Sequence, residues 1–206
     1  MPRRPCSGHG NCSVQLDKEM FIETETTPNP ATLKFLPGRE VMRQGTRDFR
    51  DGASARQSPL AQALFEVEGV SGVFFGRDFI SVTKTSGDWA DLKPVILGAI
   101  MEHFLTGAPL LEGEEEGAGT AESGEFFEAE DAETVDTIKN LIESHVRPAV
   151  ANDGGDIRFR GFRDGIVYLA MKGACSGCPS STATLRHGIE NLLRHYVPHV
   201  RSVEQI

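Results

Sequence analysis

The sequence has 206 residues, which corresponds to one large domain or two small ones. Its hydrophobic content of 39% and charged content of 25% are those of an ordinary soluble globular protein. No apolar run approaches the ~20 residues of a membrane-spanning helix, and a net charge of −9 argues against a broad nucleic-acid-binding surface. We therefore expect neither nucleic acid nor a membrane as a partner.

The cysteines and the first residues bear on the cellular compartment. Four cysteines are too few, and too unevenly spread, to cross-link two domains by disulfides, which favours a reducing compartment. Residues 1–19 lack the apolar run of a secretory signal and carry Asp17 and Glu19, which are atypical of a transit peptide. The sequence predicts a bacterial cytoplasm, with the mitochondrial matrix as the alternative.

An acidic segment divides the chain. Residues 107–130 hold eight Glu and no Lys, Arg or Asp, and repulsion between like charges keeps such a segment extended. We interpret it as a flexible linker, and we expect its aromatic pair, Phe126 and Phe127, to pack on the start of the next domain. The predicted organisation is a disordered extension at 1–19, an N-terminal domain at 20–106, the acidic linker at 107–130 and a C-terminal domain at 131–206.

The N-terminal unit contains six segments with a regular pattern. Strands are predicted where apolar and polar residues alternate, and helices where apolar residues recur every three or four positions after a capping residue. Residues 43–57 are polar and weakly patterned, and they cannot be assigned. The predicted elements are strands at 21–25 and 32–36, a helix that begins at Ser58-Pro59, strands at 70–75 and 79–83, and a helix from Asp88 to Phe104.

The C-terminal unit shows a different order. Its first helix is expected to end near Pro148, because proline lacks the N–H that continues a helix. The pattern predicts the order α-β-β-α-β, with the cysteine loop before the second helix, and an overall α+β fold of two small α/β domains. The elements are a helix over 135–146, a turn at 153–156 that needs the backbone freedom of glycine, strands at 157–162 and 166–171, a helix over 179–196 and a strand at 200–203.

The chemistry is expected at Cys175-Ser176-Gly177-Cys178, between a strand and the start of a helix. The N–H groups and partial positive charge of a helix N-terminus lower the pKa of a thiol and favour the thiolate, which binds metal or attacks a disulfide. Two thiolates at this spacing can hold one metal centre. The alternative is a pair of buried structural cysteines.

Three functions remain open on the residues alone. A structural zinc site or an iron-sulfur cluster needs about four ligands. The second pair comes either from Cys6 and Cys12 or from the same loop of a second copy in a symmetric homodimer. A thiol-disulfide oxidoreductase needs no metal, but neither unit shows the βαβ pattern that makes such a motif persuasive.

Both units resemble one known family. The C-terminal unit resembles the C-terminal domain of NifU-like (Nfu-type) iron-sulfur proteins, and the preceding unit is similar to the Nfu N-terminal domain. In the C-terminal unit the matching segments are DGGD at 153–156, DGIVY at 164–168, GACSGCPSS at 173–181 and LRHGIE at 185–190. In the N-terminal unit they are TPNP at 27–30, LKFLPG at 33–38 and VFFG at 73–76.

The resemblance implies an iron-sulfur cluster carrier that is not an enzyme. In such a carrier a homodimer holds one 4Fe-4S cluster between paired CxxC motifs, receives it from an upstream scaffold and passes it to apo-proteins such as aconitase or lipoyl synthase. Only Cys175 and Cys178 are expected as iron ligands. Residues 1–19 depart from the family pattern, so they are either an appendage or precede a true start at Met20. The rigid turn at 27–30 is structural or docks a partner.

Overall fold

The structure, a computed structural model, describes residues 21–112, 124–176 and 179–206, without the side chains of 179–182. Within these ranges no helix has the length and apolar character to span a membrane. The described residues form two sheets, each with its own helices and its own hydrophobic core.

The N-terminal domain is a five-stranded antiparallel sheet in the order β1-β2-β5-β4-β3, with helices on one face. Side chains on the helix-facing side of the strands, such as Phe35 and Phe75, are fully buried in its core together with Ile96 of the last helix. The elements are β1 (Glu23–Thr26), β2 (Thr32–Leu36), β3 (Arg47–Phe49), α1 (Gly52–Ala55), α2 (Pro59–Phe65), β4 (Val70–Phe75), β5 (Ile80–Lys84) and α3 (Trp89–Thr106).

The helix starts of this domain follow from capping residues. The Ser58 hydroxyl accepts a hydrogen bond from the Ala61 N–H, and Pro59 occupies the first turn of α2. The Asp88 carboxylate accepts from the Ala90 N–H at the start of α3, which ends where Gly107 adopts a left-handed conformation. These helices confirm the predicted starts.

The C-terminal domain confirms the predicted order α-β-β-α-β. Its three-stranded sheet has the order β6-β7-β8, in which β8 runs parallel to β7. The β6–β7 turn places Asp164 and Gly165 at φ angles of 52° and 78°, as expected for an Asp-Gly hairpin. The elements are α4 (Ala132–Leu141), α5 (Arg147–Asn152), β6 (Gly155–Arg163), β7 (Ile166–Gly173), α6 (Pro179–Tyr196) and β8 (Ser202–Gln205).

The expectation that Pro148 ends the first helix is wrong. A π-helical turn at Ile142–Val146 connects α4 to α5, so the chain stays helical as far as Asn152. Pro148 lies in the first turn of α5. A proline there removes no required hydrogen bond, because the wider turn before it already changes the pairing.

Both ends of the predicted linker contact the domains beside them. Leu110 and Leu111 pack against the N-terminal core, and the Glu112 N–H donates to the Gln57 carbonyl at 2.7 Å. Phe126 lies against β6, as expected, with its ring 5.1 Å from that of Tyr168. Phe127 packs less closely than expected: it is 40% exposed, with the Lys139 amine 5.6 Å from its ring. Residues 1–20 and 113–123 lie outside the described residues, so the extension, the flexibility of the linker and its boundaries stay predictions.

Candidate functional site

Cys175 lies on a 3-10 turn (Ala174–Ser176) between the end of β7 and the start of α6. Its side chain is 7% exposed and packs into the C-terminal core beside Gly155. A Cβ atom on Gly155 would lie 2.6 Å from the Lys172 carbonyl oxygen and 3.0 Å from the Cys175 sulfur. Only glycine therefore leaves room for the sulfur at this point.

Hydrogen bonds to two backbone carbonyls fix the turn that carries Cys175. The Ala174 N–H donates to the Gly154 carbonyl at 3.2 Å, and the Ser176 hydroxyl donates to the Gly173 carbonyl at 2.9 Å. Gly173 has a φ of 68°, a left-handed conformation that a residue with a Cβ adopts at a cost. The turn is thus held by the chain itself, before any metal binds.

The pKa of Cys175 differs from the sequence-based expectation. Burial of the thiol and the nearby charge of Asp153 raise its pKa from 9.0 to about 11. The predicted lowering by the helix N-terminus is therefore wrong for Cys175. The larger cause of the raised pKa is the loss of solvent around the sulfur, to which contacts distant in sequence such as Gly155 contribute.

A small cavity of about 30 Å³ lies beside Cys175. A cavity of this size has room for about one or two water molecules. The cavity is bounded by both domains and is lined by Pro28, Asn29, Asp153, Ala174, Cys175 and Leu185. A second cavity, of about 240 Å³, is lined by Gly173 and Ser176 together with N-terminal residues such as Asp48 and Phe74.

The other three cysteines, Cys6, Cys12 and Cys178, lie outside the described residues. Among residues 21–112, 124–176 and 179–206, no group of three or more His, Cys, Asp or Glu side chains is arranged to hold a metal ion. The predicted pairing of Cys175 with Cys178 as ligands therefore stays a prediction.

The N-terminal domain contacts the segments around Cys175 through three side-chain donors. Each donates to a backbone carbonyl of the C-terminal domain, and sequence reasoning missed these contacts. The strand pattern does place Ser81 on the face opposite Ile80 and Val82, but it does not name what covers that face. The hydrogen bonds are Asn29 Nδ2 to Ala174 at 3.4 Å, Ser81 Oγ to Gly154 at 2.8 Å and Lys34 Nζ to Asn152 at 3.3 Å.

A buried carboxylate supports the same contact. Asp156, which lies in β6 rather than in the predicted turn, is paired with Arg147 at 2.8 Å and with Arg158 at 3.5 Å. Thr46 of the N-terminal domain donates its hydroxyl to Asp156 at 2.8 Å. Burial acts to raise the pKa of Asp156, but the hydrogen bonds from Arg147 and Thr46 and the two positive charges outweigh it and hold that pKa below 3.8.

Comparison with known families identifies both units. The family described as "Scaffold protein Nfu/NifU N terminal" matches residues 22–107, and the family described as "NifU-like domain" matches residues 138–204. The second match contains the Cys175 turn and Cys178. The chain belongs to the Nfu family of NifU-like scaffold proteins. This is a family of scaffold proteins rather than enzymes, which confirms the prediction that the chain is not an enzyme.

Relatives of this Nfu chain come from animals and plants. The human protein "NFU1 iron-sulfur cluster scaffold homolog, mitochondrial" is 49% identical over 189 residues, covering 91% of this chain and 72% of the relative. The Drosophila sechellia protein of the same name is 49% identical over 195 residues, covering 94% and 67%. The Arabidopsis thaliana "NifU-like protein 5, mitochondrial" is 47% identical over 195 residues, covering 93% and 70%. The chain spans about two thirds of the length of these relatives.

The predicted bacterial cytoplasm is wrong as the main assignment. All three of these relatives are named as mitochondrial, and each matches more than nine tenths of this chain. The prediction relied on the composition of residues 1–19. The composition of residues 1–19 is not enough to assign the compartment, because the chain matches only part of each relative. The sequence of a folded domain also carries no signature of its compartment.

Proposed function

We propose that the chain is an iron-sulfur cluster carrier in which two copies hold one 4Fe-4S cluster between their Cys175 and Cys178 thiolates. The observation that carries the proposal is Cys175, a member of a CxxC pair, on a fixed turn at the start of α6 inside the matched NifU-like domain. One chain offers two thiols in this motif, and a cubane cluster takes four. A two-fold axis through the cluster supplies the second pair.

The bridged geometry allows the cluster to be transferred to another protein. Ligands at a seam between two chains are exchanged one at a time for the thiolates of an incoming protein, without unfolding either domain. An upstream scaffold loads the cluster, and the receivers are apo-proteins that require 4Fe-4S clusters. The names of the relatives support a mitochondrial setting for this exchange.

The alternative of a thiol-disulfide oxidoreductase is disfavoured at Cys175. An attacking thiol works best with a pKa near the ambient pH. Burial raises the pKa of Cys175 to about 11, so the protonated thiol dominates at neutral pH. A metal that displaces this proton overcomes the penalty through the iron–sulfur bond, whereas a disulfide substrate offers no such compensation.

The test is anaerobic reconstitution with iron and sulfide, followed by analysis of both elements per chain and of the solution mass. We expect about two iron and two sulfide per chain, in a species of dimer mass that returns to monomer when the iron is chelated. Uptake of no iron by a colourless monomer would contradict the proposal.

Substitutions locate the ligands. We expect either Cys175→Ser or Cys178→Ser alone to abolish cluster binding, because each removes two of four ligands from the symmetric site. The matched control is Cys6→Ala with Cys12→Ala, which removes the other two cysteines and is expected to leave iron content unchanged. Retention of the cluster in either serine variant would rule out this ligand set.

A further inference from the structure

The face of the N-terminal sheet that points away from its helices is buried. Lys34, Phe74 and Ser81 lie side by side on this face, since Ser81 is the register partner of both Lys34 and Phe74. Their exposed fractions are 6%, 2% and 1%, although none of them belongs to the N-terminal core cluster. An antiparallel sheet with helices on one side usually leaves its other side in water, so this face has a covering partner.

The covering partner is the part of the C-terminal domain that carries Cys175. A Cβ atom on Gly173 would lie 2.9 Å from the Phe74 ring, and one on Gly154 would lie 2.7 Å from the Ser81 hydroxyl oxygen. These two glycines flank the Cys175 turn in space, because Gly154 accepts the hydrogen bond from the Ala174 N–H. We name Asn29, Lys34, Thr46, Phe74 and Ser81 the docking face.

The docked arrangement covers one side of Cys175. Pro28 and Asn29 form one wall of the cavity of about 30 Å³ next to the sulfur. Asn29 is held there by its own hydrogen bond to the Ala174 carbonyl. A second chain that approaches the sulfur from this side meets this wall first.

We propose that the docking face caps the Cys175 turn in the cluster-free chain, and that it releases the turn before a second copy brings its own cysteine pair to the shared cluster. This inference rests on the proposed function, because the shared cluster is what makes the second copy necessary. The turn at 27–30, which the sequence marks as rigid, is then the part of the cap nearest the sulfur.

The chemistry of the contact suits reversible docking. The hydrogen-bond donors Asn29, Lys34 and Ser81 meet backbone carbonyls, and the Thr46 hydroxyl meets the Asp156 carboxylate. Water replaces each of these partners when the domains separate, so opening leaves no polar group unsatisfied. Polar contacts of this kind are typical of domains that move relative to each other.

The experiment compares two opening variants with two matched controls. Thr46→Asp places a carboxylate against Asp156, and Ser81→Arg places a long cation where Gly154 leaves no room. Thr85→Asp and Ser86→Arg make the same changes in an exposed turn of the same domain. The reduced, cluster-free full-length chains are treated with N-ethylmaleimide, and modification of Cys175 is followed by peptide mass mapping.

We expect Cys175 to react about tenfold faster in the opening variants, because each replaces an attractive contact of the closed form by a repulsive one and so raises the open population. Both controls are expected to react at the wild-type rate. Circular dichroism identifies any variant that fails to fold. If one opening variant fails, the reactivity of Cys175 in the other opening variant tests the proposal. Equal reactivity of Cys175 in a folded opening variant and in wild type would overturn the cap.

The rate of iron and sulfide uptake by the same proteins separates the cap from the carrier function. Faster loading in the opening variants supports release as a step in loading. If the opening variants take up iron and sulfide at the wild-type rate although their Cys175 is more reactive, release of the cap is not a step in cluster loading. Absence of a cluster in every protein, with the reactivity difference intact, would refute the carrier function and leave the cap in place.

Discussion

Gly155 sets the position of the Cys175 sulfur. Its missing Cβ leaves space between the Lys172 carbonyl and the sulfur, in which a methyl group would approach the carbonyl oxygen to 2.6 Å. The sequence predicts that the DGGD segment needs the backbone freedom of glycine. It does not reveal this second reason, because Gly155 and Cys175 are twenty positions apart and meet only in the folded sheet.

We expect Gly155→Ala to lower the free energy of unfolding by about 2 kcal/mol, because the crowded backbone and sulfur have to move. The measurement is urea denaturation of the cluster-free chain. Gly188→Ala is the matched control: a Cβ atom added there would meet no other part of the described chain within 4 Å, and alanine favours the helix α6. If Gly155→Ala is as stable as wild type, the turn accommodates the added methyl group without a cost in stability, and the prediction is wrong.

Asp156 gives stability that depends on pH. Its pKa is held below 3.8 in the folded chain, so its ionised form stabilises the fold above that pH, and the contribution is lost as the pH falls through the folded pKa. We expect Asp156→Asn to cost about 2 kcal/mol at pH 7, because Arg147 loses a partner in a partly buried position.

The measurement is the free energy of unfolding of wild type and Asp156→Asn between pH 7 and pH 3. The difference between the two proteins is expected to stay constant at neutral pH and to shrink below about pH 4. A difference that is the same at pH 3 and pH 7 would mean that the charge of Asp156 is not what stabilises this site.

At the scale of elements, the sequence predicts those structures whose signals are local. Ser58 and Asp88 cap α2 and α3 because a side-chain oxygen next to a helical pattern has a free backbone N–H to bind. Residues 43–57 contain β3 and α1, which have only three and four residues. Elements that short have no period to detect, and β3 forms because β4 offers it an edge.

We expect Asp88→Ala to lower the free energy of unfolding by about 1 kcal/mol, because the Ala90 N–H at the start of α3 loses its acceptor. Thermal denaturation is the measurement. Asp88→Asn keeps a side-chain oxygen at the same place and is expected to remain close to wild type. Equal loss in both variants would assign the effect to the negative charge rather than to the hydrogen bond.

At the scale of the whole molecule, the sequence predicts the cysteine motif and the two units but not their contact. Three residues of the docking face, Lys34, Phe74 and Ser81, have sequence patterns typical of any strand. Their shared burial arises from segments more than seventy positions away, such as Gly154. Likewise, the raised pKa of Cys175 reflects packing that no local pattern encodes.

The predicted linker has a testable role in transfer. We expect deletion of residues 114–119 to slow cluster transfer to an apo-protein several-fold, because a shorter connection limits how far the domains separate and reorient. Replacement of Glu114, Glu115 and Glu116 by Gln keeps the length and is the matched control. An unchanged transfer rate after the deletion would show that cluster transfer does not depend on reorientation of the domains through this segment.

Phe126 has a consequence for the solubility of the chain. Its N–H donates to the Arg160 carbonyl and its carbonyl accepts from the Phe162 N–H, so it pairs with the outer edge of β6. An uncovered sheet edge is a template to which strands of other molecules add. Phe126 therefore covers this edge at Gly161, and we expect the C-terminal domain to associate through that edge more readily once the segment that holds Phe126 is removed.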